Sequence, residues 1–209
     1  MKDPETLRDI VPEYQSANPV VRALFLKRPK TALELGELER TAPLDVLDLG
    51  CGDATFLRGA RALHPQHRYA GWDVHPGIET LKLEGIALAR VDFANAPLPA
   101  RTFDRIFCLD VLEHFQNLDA PLAAIKTLLK PGGLLILSEP TESWLYRLGR
   151  LVVKGTLSAH EGPAAGPHFY DARGVDERVR GAGFVRQDLR RIPWRPFDLF
   201  HISKYSRPR

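Results

Sequence analysis

Cysteine is scarce in this sequence: among 209 residues there are only Cys51 and Cys108. Neither stands in a CxxC or His-rich context, so neither a disulfide framework nor a metal site is expected. Long apolar runs are also missing; none approaches the ~20 residues that cross a bilayer. The opening MKDPETLRD lacks the apolar stretch of a secretory signal, and with the reduced thiols this predicts a cytoplasmic protein. No internal repeat or low-complexity segment is visible. Net charge is only +3, too little to imply nucleic acid by itself. The charge is uneven, however. From Arg178 onward come Arg178, Arg180, Arg186, Arg190, Arg191, Arg195, Lys204, Arg207 and Arg209, against Asp188 and Asp198. This stretch is either a solvated face with a polar tail or a docking surface for an acidic partner.

What is present suits a soluble globular chain: 44% hydrophobic and 26% charged residues, at a length that fits one domain over residues 1–209. Helices are expected over 5–17 and 19–40, the second capped by Asn18-Pro19. Strands are expected at Leu44–Leu49, His67–Val74, Ile86–Val91, Phe103–Leu109 and Leu134–Ser138. Helical segments are expected at Ala54–Leu63, Ile78–Leu83, Leu118–Leu129 and Asp171–Gly181. Lys130-Pro131-Gly132-Gly133 supplies a stop signal. Phe184–Leu189 and Leu199–Tyr205 complete the strand candidates. Strands alternating with helices predict a parallel sheet covered on both faces, with ligands bound beyond the carboxyl ends of its strands.

The stretch VLDLGCGDATF places Asp48 where an apolar strand meets a glycine turn, Gly50-Cys51-Gly52. Glycines allow positive φ and close approach of a ligand to the backbone. A dinucleotide fingerprint begun at Gly50 would need a third glycine at position 55, which is Thr55. No Gly-Lys-Ser/Thr follows to make a phosphate loop. An acid at this turn would repel a pyrophosphate and favour an ammonium or a sulfonium. Asp73 ends the second strand and can take both hydroxyls of a ribose. Asp92 ends the third, where it can accept from an adenine amino group, with Phe93 as backbone donor and apolar wall. Asp92 serves equally well as a turn former.

The segments VLDLGCGDATFL, YAGWDVHPG, VDFANAPLPARTFDRIFCLDVLEHF and LLKPGGLLILSEP together resemble class I S-adenosylmethionine-dependent methyltransferases. The resemblance is strongest to the group that includes the ubiquinone and menaquinone biosynthesis enzymes. It implies a Rossmann-like, doubly wound α/β fold with a seven-stranded sheet, mostly parallel with an antiparallel last strand. It implies S-adenosylmethionine as cofactor, with Asp48, Gly50, Cys51 and Gly52 at the methionine end. Asp73 and Val74 would lie at the ribose, Asp92 and Phe93 at the adenine, and Asp110 near the methionine moiety. Ala54 stands where many members carry a third glycine, and its φ is expected to stay negative. Trp72 and Cys108 are read as core. Glu113 and His114 are read as ordering the loop after the fourth strand.

The sulfonium already activates the methyl group, so the protein must align an acceptor behind it and exclude water. The acceptor side, or lid, is expected from the N-terminal helices (1–42) and an insertion over 141–170. Polar candidates there are Tyr14, Glu139, Glu142, Tyr146, His160 and His168. Either His168 or His160 is expected to act as general base. Trp144–Lys154 has an apolar and a basic side, as a lid helix, a helix packed on the core or a membrane-surface helix would. The expected reaction is methyl transfer to a small apolar, lipid-like or quinone-like acceptor, by a monomer or homodimer with no DNA partner. The alternatives are an RNA or protein methyltransferase and a non-catalytic cofactor-binding protein. RNA is disfavoured because the fourth strand ends in CLDVLEH, without an Asn/Asp-Pro-Pro-aromatic tetrapeptide.

Overall fold

In the computed structural model, residues 17–147, 151 and 167–207 are described. The expected helix over 5–17, and the candidates Tyr14 and His160, lie outside them. Helix α1 (Pro19–Gly36) starts where Asn18 Oδ1 accepts from Val20 N–H at 3.0 Å and Val21 N–H at 3.4 Å. It stops earlier than the sequence pattern suggests. Glu37 turns left-handed at φ 52°, and Gly36 is pressed against Phe107, whose Cζ would lie 2.5 Å from an added Cβ.

The sheet runs β1 (Asp45–Leu49), β2 (Arg68–Asp73), β3 (Ile86–Arg90), β4 (Phe103–Leu109), β5 (Leu129–Pro140), β6 (Val185–Ile192) and β7 (Phe200–Ser206) in chain order. In space the order is β3-β2-β1-β4-β5-β7-β6. The first five strands are parallel, and β7 lies antiparallel to both β5 and β6. This is the expected seven-stranded Rossmann-like sheet. Its order reverses between β1 and β4, so the carboxyl ends of those two strands flank the switch point.

Helices α2 (Thr55–Leu63), α3 (Asp119–Leu128) and α4 (Ala172–Gly181) accompany the strands. Three further segments differ from the sequence expectation. Ile78–Leu83 is not an α-helix; a 3-10 turn covers Pro76–Thr80, and Leu81 is already extended. Strand β5 begins at Leu129 because its glycines stay paired: Gly132 N–H donates to Arg207 C=O at 3.3 Å and Arg207 N–H to Gly133 C=O at 3.2 Å. Strand β6 runs on to Ile192, whose carbonyl accepts from Leu199 N–H at 2.6 Å.

Both faces of the sheet are covered. Along β4, Ile106 and Cys108 enter one apolar cluster with Leu47, Leu49, Leu135 and Leu137, while Phe107 enters the other with Val46, Leu57 and Ile136. The two-residue period therefore reads as a continuous apolar run. Trp72 belongs to the first cluster and meets Phe103 edge-on at 5.7 Å. Gly71 gives way to its neighbours: an added Cβ would lie 2.7 Å from both Cys51 Sγ and Leu57 Cδ1. Gly71→Ala should destabilise the fold by about 1–3 kcal/mol, read from the denaturant midpoint.

The opposite, amino end of the sheet is held by charge. Asp45 accepts from Arg68 Nε at 2.8 Å and Lys130 Nζ at 2.9 Å, and the same Lys130 reaches Asp104 at 2.8 Å. The hydrogen bond from Arg68, followed after the opposing effect of burial by Lys130, holds the Asp45 carboxyl well below its usual range. A carboxylate with a depressed folded pKa stabilises above its unfolded value of about 3.9 and loses that contribution as pH falls through the folded value. Asp45→Asn should cost roughly 1 kcal/mol at neutral pH, and urea melts should show the difference shrinking once pH drops below ~4.

Candidate functional site

The turn after β1 is built by departures from ordinary backbone at three alternate positions. Gly50, Gly52 and Ala54 have φ of 73°, 53° and 60°. Gly50 N–H and Cys51 N–H both donate to Trp72 C=O, at 2.8 and 3.2 Å, which ties the turn to the end of β2. A Cβ on Gly50 would lie 2.4 Å from Val111 Cγ2, so the turn packs closely on the segment after β4. The expectation for Ala54 is overturned. Its φ is positive because Ala54 N–H closes a turn onto Cys51 C=O at 2.8 Å before α2 begins. A glycine would adopt this conformation without the steric cost that the alanine methyl carries.

Asp48 sits at the penultimate position of β1 and is only 3% exposed. Its neighbours across the sheet are Gly71 and Phe107, neither of which has a polar side chain. Burial, then the charge of Asp73, pushes the Asp48 carboxyl well above its ordinary range. Asp73 differs. Its Oδ2 accepts from Gly52 N–H at 2.9 Å and its Oδ1 from His75 N–H at 2.8 Å. The carboxylate thus clasps the glycine turn and the start of the next loop together. Val74, beside it, is exposed.

Asp92 shapes its own loop: Oδ1 accepts from Ala94 N–H and Asn95 N–H, each at 3.2 Å. Phe93 is buried and meets Phe115 edge-on at 5.7 Å. Cys51 and Cys108 are buried, and burial pushes both thiols up, which disfavours thiolates.

At the end of β4, Asp110 adopts φ 58° and pairs with Arg28 from α1. Ser138 joins them: Arg28 Nη2 donates to its Oγ at 2.9 Å, and Oγ donates to Asp110 Oδ1 at 3.2 Å. The Arg28 guanidinium stacks 3.9 Å from the Phe200 ring centroid. The sequence reading found Asp110 and missed Arg28, because nothing in a helical run of Leu, Phe, Lys and Arg marks which cation turns inward.

A second polar group lies just beyond. The 3-10 turn Leu112–His114 buries Glu113, and the chain at 167–170 crosses over it. Phe169 N–H donates to Glu113 C=O at 2.7 Å, and His114 Nδ1 lies 3.3 Å from Pro167 C=O. His168 Nδ1 lies 2.7 Å from Glu142 Oε1. Burial is the chief cause that pushes the Glu113 and Glu139 carboxyls upward, and nearby acidic charge adds to it. Glu113 and His114 do order the loop, as expected, but they also stand beside His168. Of the segment Trp144–Lys154, a helical turn at 144–147 and residue 151 are described; Trp144 is exposed and Tyr146 packs edge-on to Phe200 at 5.4 Å. The rest of that segment lies outside the described residues.

Among the described residues no helix is long and apolar enough to cross a membrane. Comparison with known proteins agrees with the architecture. An N-methyltransferase from Bradyrhizobium japonicum, NodS, solved in complex with S-adenosyl-L-homocysteine, superposes with a TM-score of 0.68 at 18% identity, covering 98% of each chain. At that identity the likeness shows the fold. In sequence, the chain is 27% identical over 168 residues to a ubiquinone biosynthesis O-methyltransferase of Paraburkholderia phymatum, covering 72% of this chain and 68% of that protein. It is 31% identical over 130 residues to a trans-aconitate 2-methyltransferase of Methylobacterium nodulans, covering 60% and 50%. The chain spans 24%, 5% and 50% of the lengths of three curated relatives that it matches. A family model described as "Methyltransferase domain" matches residues 16–188, and the chain belongs to that family.

Proposed function

We propose that this chain transfers the methyl group of S-adenosylmethionine to a small, apolar, quinone-like or lipid-like acceptor. The observation that carries the reading is Asp48: a buried carboxyl at the strand switch point, in a glycine turn, with no basic side chain on either sheet neighbour. Such a group is costly to ionise alone and favourable to ionise beside a bound cation. The ammonium and sulfonium of S-adenosylmethionine would supply that cation.

The remaining assignments follow the strand ends. Gly50, Cys51 and Gly52 would present backbone to the methionine end, and their positive or tightly turned conformations support this use. Asp73 has two backbone donors already, and a carboxylate offers about four lone-pair sites, so two remain for ribose hydroxyls. Val74 would lie against the sugar, and Asp92 with Phe93 would meet the adenine. Asp110 would contact the methionine moiety, with Arg28 beside it as a cation for the methionine carboxylate. The acceptor oxygen would then form its bond to the methyl carbon as the carbon–sulfur bond breaks. The electron pair stays on sulfur, giving neutral S-adenosylhomocysteine. Glu113, His114, His168 and Glu142 would face the acceptor, in the region where the sequence pointed to a proton-accepting imidazole.

The quinone-like acceptor is supported by kinship alone: relatives named ubiquinone biosynthesis O-methyltransferase and demethylmenaquinone methyltransferase match 72% and 68% of this chain. Against nucleic acid, four of the C-terminal arginines are paired with acids. Arg180 and Arg186 pair with Asp176, Arg190 with Asp188 and Arg191 with Asp198.

Asp48→Asn should separate binding from stability. The variant should lose measurable S-adenosylmethionine uptake in calorimetry, yet melt at higher temperature than the parent at neutral pH. The sign follows from the raised folded pKa: such a carboxyl stabilises below its unfolded value near ~3.9 and costs stability as pH rises from there toward the folded value. The advantage of the variant should therefore fade as pH falls toward ~4. Asp73→Ala should weaken uptake and, by freeing Gly52 N–H, lower the melting temperature. Incubation with quinol-type phenols should yield S-adenosylhomocysteine, detected by mass spectrometry; uptake without turnover across a broad acceptor panel would instead make the chain a cofactor-binding protein.

A further inference from the structure

The connection from β6 to β7 links the paired residues Ile192 and Phe200. Within it a tight turn closes where Phe197 N–H donates to Trp194 C=O at 2.9 Å. All four residues of that turn, Trp194, Arg195, Pro196 and Phe197, are exposed. Trp194 is 62% exposed and Phe197 47%. An exposed apolar residue standing alone is ordinary, but this chain has three tryptophans and shows two of them to solvent in adjoining segments. The second is Trp144, 72% exposed. Its segment is tied to the β6–β7 connection because the hydroxyls of Thr141 and Ser143 donate to Asp198 C=O, at 3.0 and 3.5 Å.

Phe200 brings in a third segment. Its ring meets Phe25 of α1 edge-on at 5.3 Å and Tyr146 at 5.4 Å. Each of the three segments that meet there exposes apolar and basic side chains together: Leu26 and Lys27 from α1, Trp144 and Arg147 after β5, and Trp194, Arg195 and Phe197 between β6 and β7. Among the described residues, Lys27, Arg147 and Arg195 pair with no acid. The acid beside the turn is already engaged: Asp198 Oδ2 lies 2.6 Å from His201 Nε2 and 3.7 Å from Arg191 Nε. Apolar bulk and unpaired positive charge therefore share one face. The turn also has few donors to strand away from water, since Pro193 and Pro196 carry no N–H and that of Phe197 is bonded within the turn.

We propose that this face, led by the turn Trp194–Phe197, docks the protein reversibly on an anionic lipid surface. Tryptophan settles at the level of lipid headgroups, where its apolar ring and its polar N–H each find a suitable medium. Nearby arginine and lysine are drawn to the negative potential of such a surface, an attraction that weakens as salt screens it. A second copy of the chain would set like charges against each other. A single-stranded nucleic acid would stack on the aromatic rings but gain nothing from Leu26 or Pro196. Phe200 pairs with Pro140, so the turn stands at the carboxyl edge of the sheet, the edge that carries Asp48 and Asp110. Docking would set that edge towards the bilayer. The surface stands without the methyl-transfer reading; its use, admission of an apolar acceptor from the lipid, rests on it.

The test is co-sedimentation of the full chain with vesicles of phosphatidylcholine mixed with phosphatidylglycerol, against vesicles of phosphatidylcholine alone. Binding to the mixed vesicles is expected, with a blue shift of tryptophan emission and release at high salt. Trp194→Ser with Phe197→Ser should weaken it at least about tenfold, and Arg195→Gln about fivefold. Leu63→Ser, which changes a residue 66% exposed at the end of α2, should leave it unchanged. Should the double variant fail to fold, Arg195→Gln and the salt dependence still decide. Sedimentation that is absent, equal on both kinds of vesicle, or equal in all variants would overturn the proposal. So would a dimer that the double variant dissociates, or polyuridine binding that it abolishes, in the absence of vesicle binding. S-adenosylmethionine uptake, measured without vesicles, reads the methyl-transfer proposal separately. Vesicle binding without that uptake would remove the use and keep the surface; uptake without vesicle binding would remove the surface alone.

Discussion

A carboxyl group buried without a cation is an unfavourable thing to keep, and Asp48 is such a group. It lies in the centre of the sheet, 3% exposed, between a glycine and a phenylalanine on the flanking strands. The surrounding structure preserves this arrangement instead of relieving it. Gly71 leaves room on one side, and Cys51 and Leu57 close over that room. Gly50 and Cys51 hang from the carbonyl of Trp72, and Gly52 from the carboxylate of Asp73. The turn is therefore clamped on the end of β2, the preorganisation that the proposed binding role would use.

The topology explains why the acids meet. Parallel strands all end on one edge, and the reversal of order between β1 and β4 opens a crevice at that edge. Asp48, Asp73, Asp92 and Asp110 stand at or just beyond the ends of β1, β2, β3 and β4. The opposite edge carries a different electrostatic device. There Asp45, three residues before Asp48 on the same strand, is surrounded by Arg68 and Lys130 and strongly favours its charge. One strand thus bears a paired acid at its entrance and an uncompensated one at its exit. The first favours its charge; the second disfavours it.

Much of this was legible because its signals are local. Apolar runs ending in Asp or Gly mark the parallel strands, and the acids follow directly. Other features depend on contacts that the chain makes only when folded. Ala54 takes positive φ because the turn must close onto Cys51 C=O before α2, a demand that the residue's identity hides. Arg28 is one cation among several on α1 until folding sets it against Asp110, Ser138 and Phe200. Glu113, His114 and His168 become a group only because residues 167–170 cross the turn after β4. The extension of β5 back to Leu129 comes from pairing with Arg207, far along the chain.

The central claim, that a buried acid awaits a positively charged adenosyl ligand, has a direct thermodynamic signature. If Asp48 is protonated in the free protein and ionised beside the bound cation, binding must release a proton. Titrating S-adenosylmethionine at pH ~6, where its α-amino group (pKa about 7.7–8.0) stays protonated, in buffers of different ionisation enthalpy would count it. The account predicts net proton release by the parent chain. No uptake of the ligand, or uptake with no proton released, would contradict it.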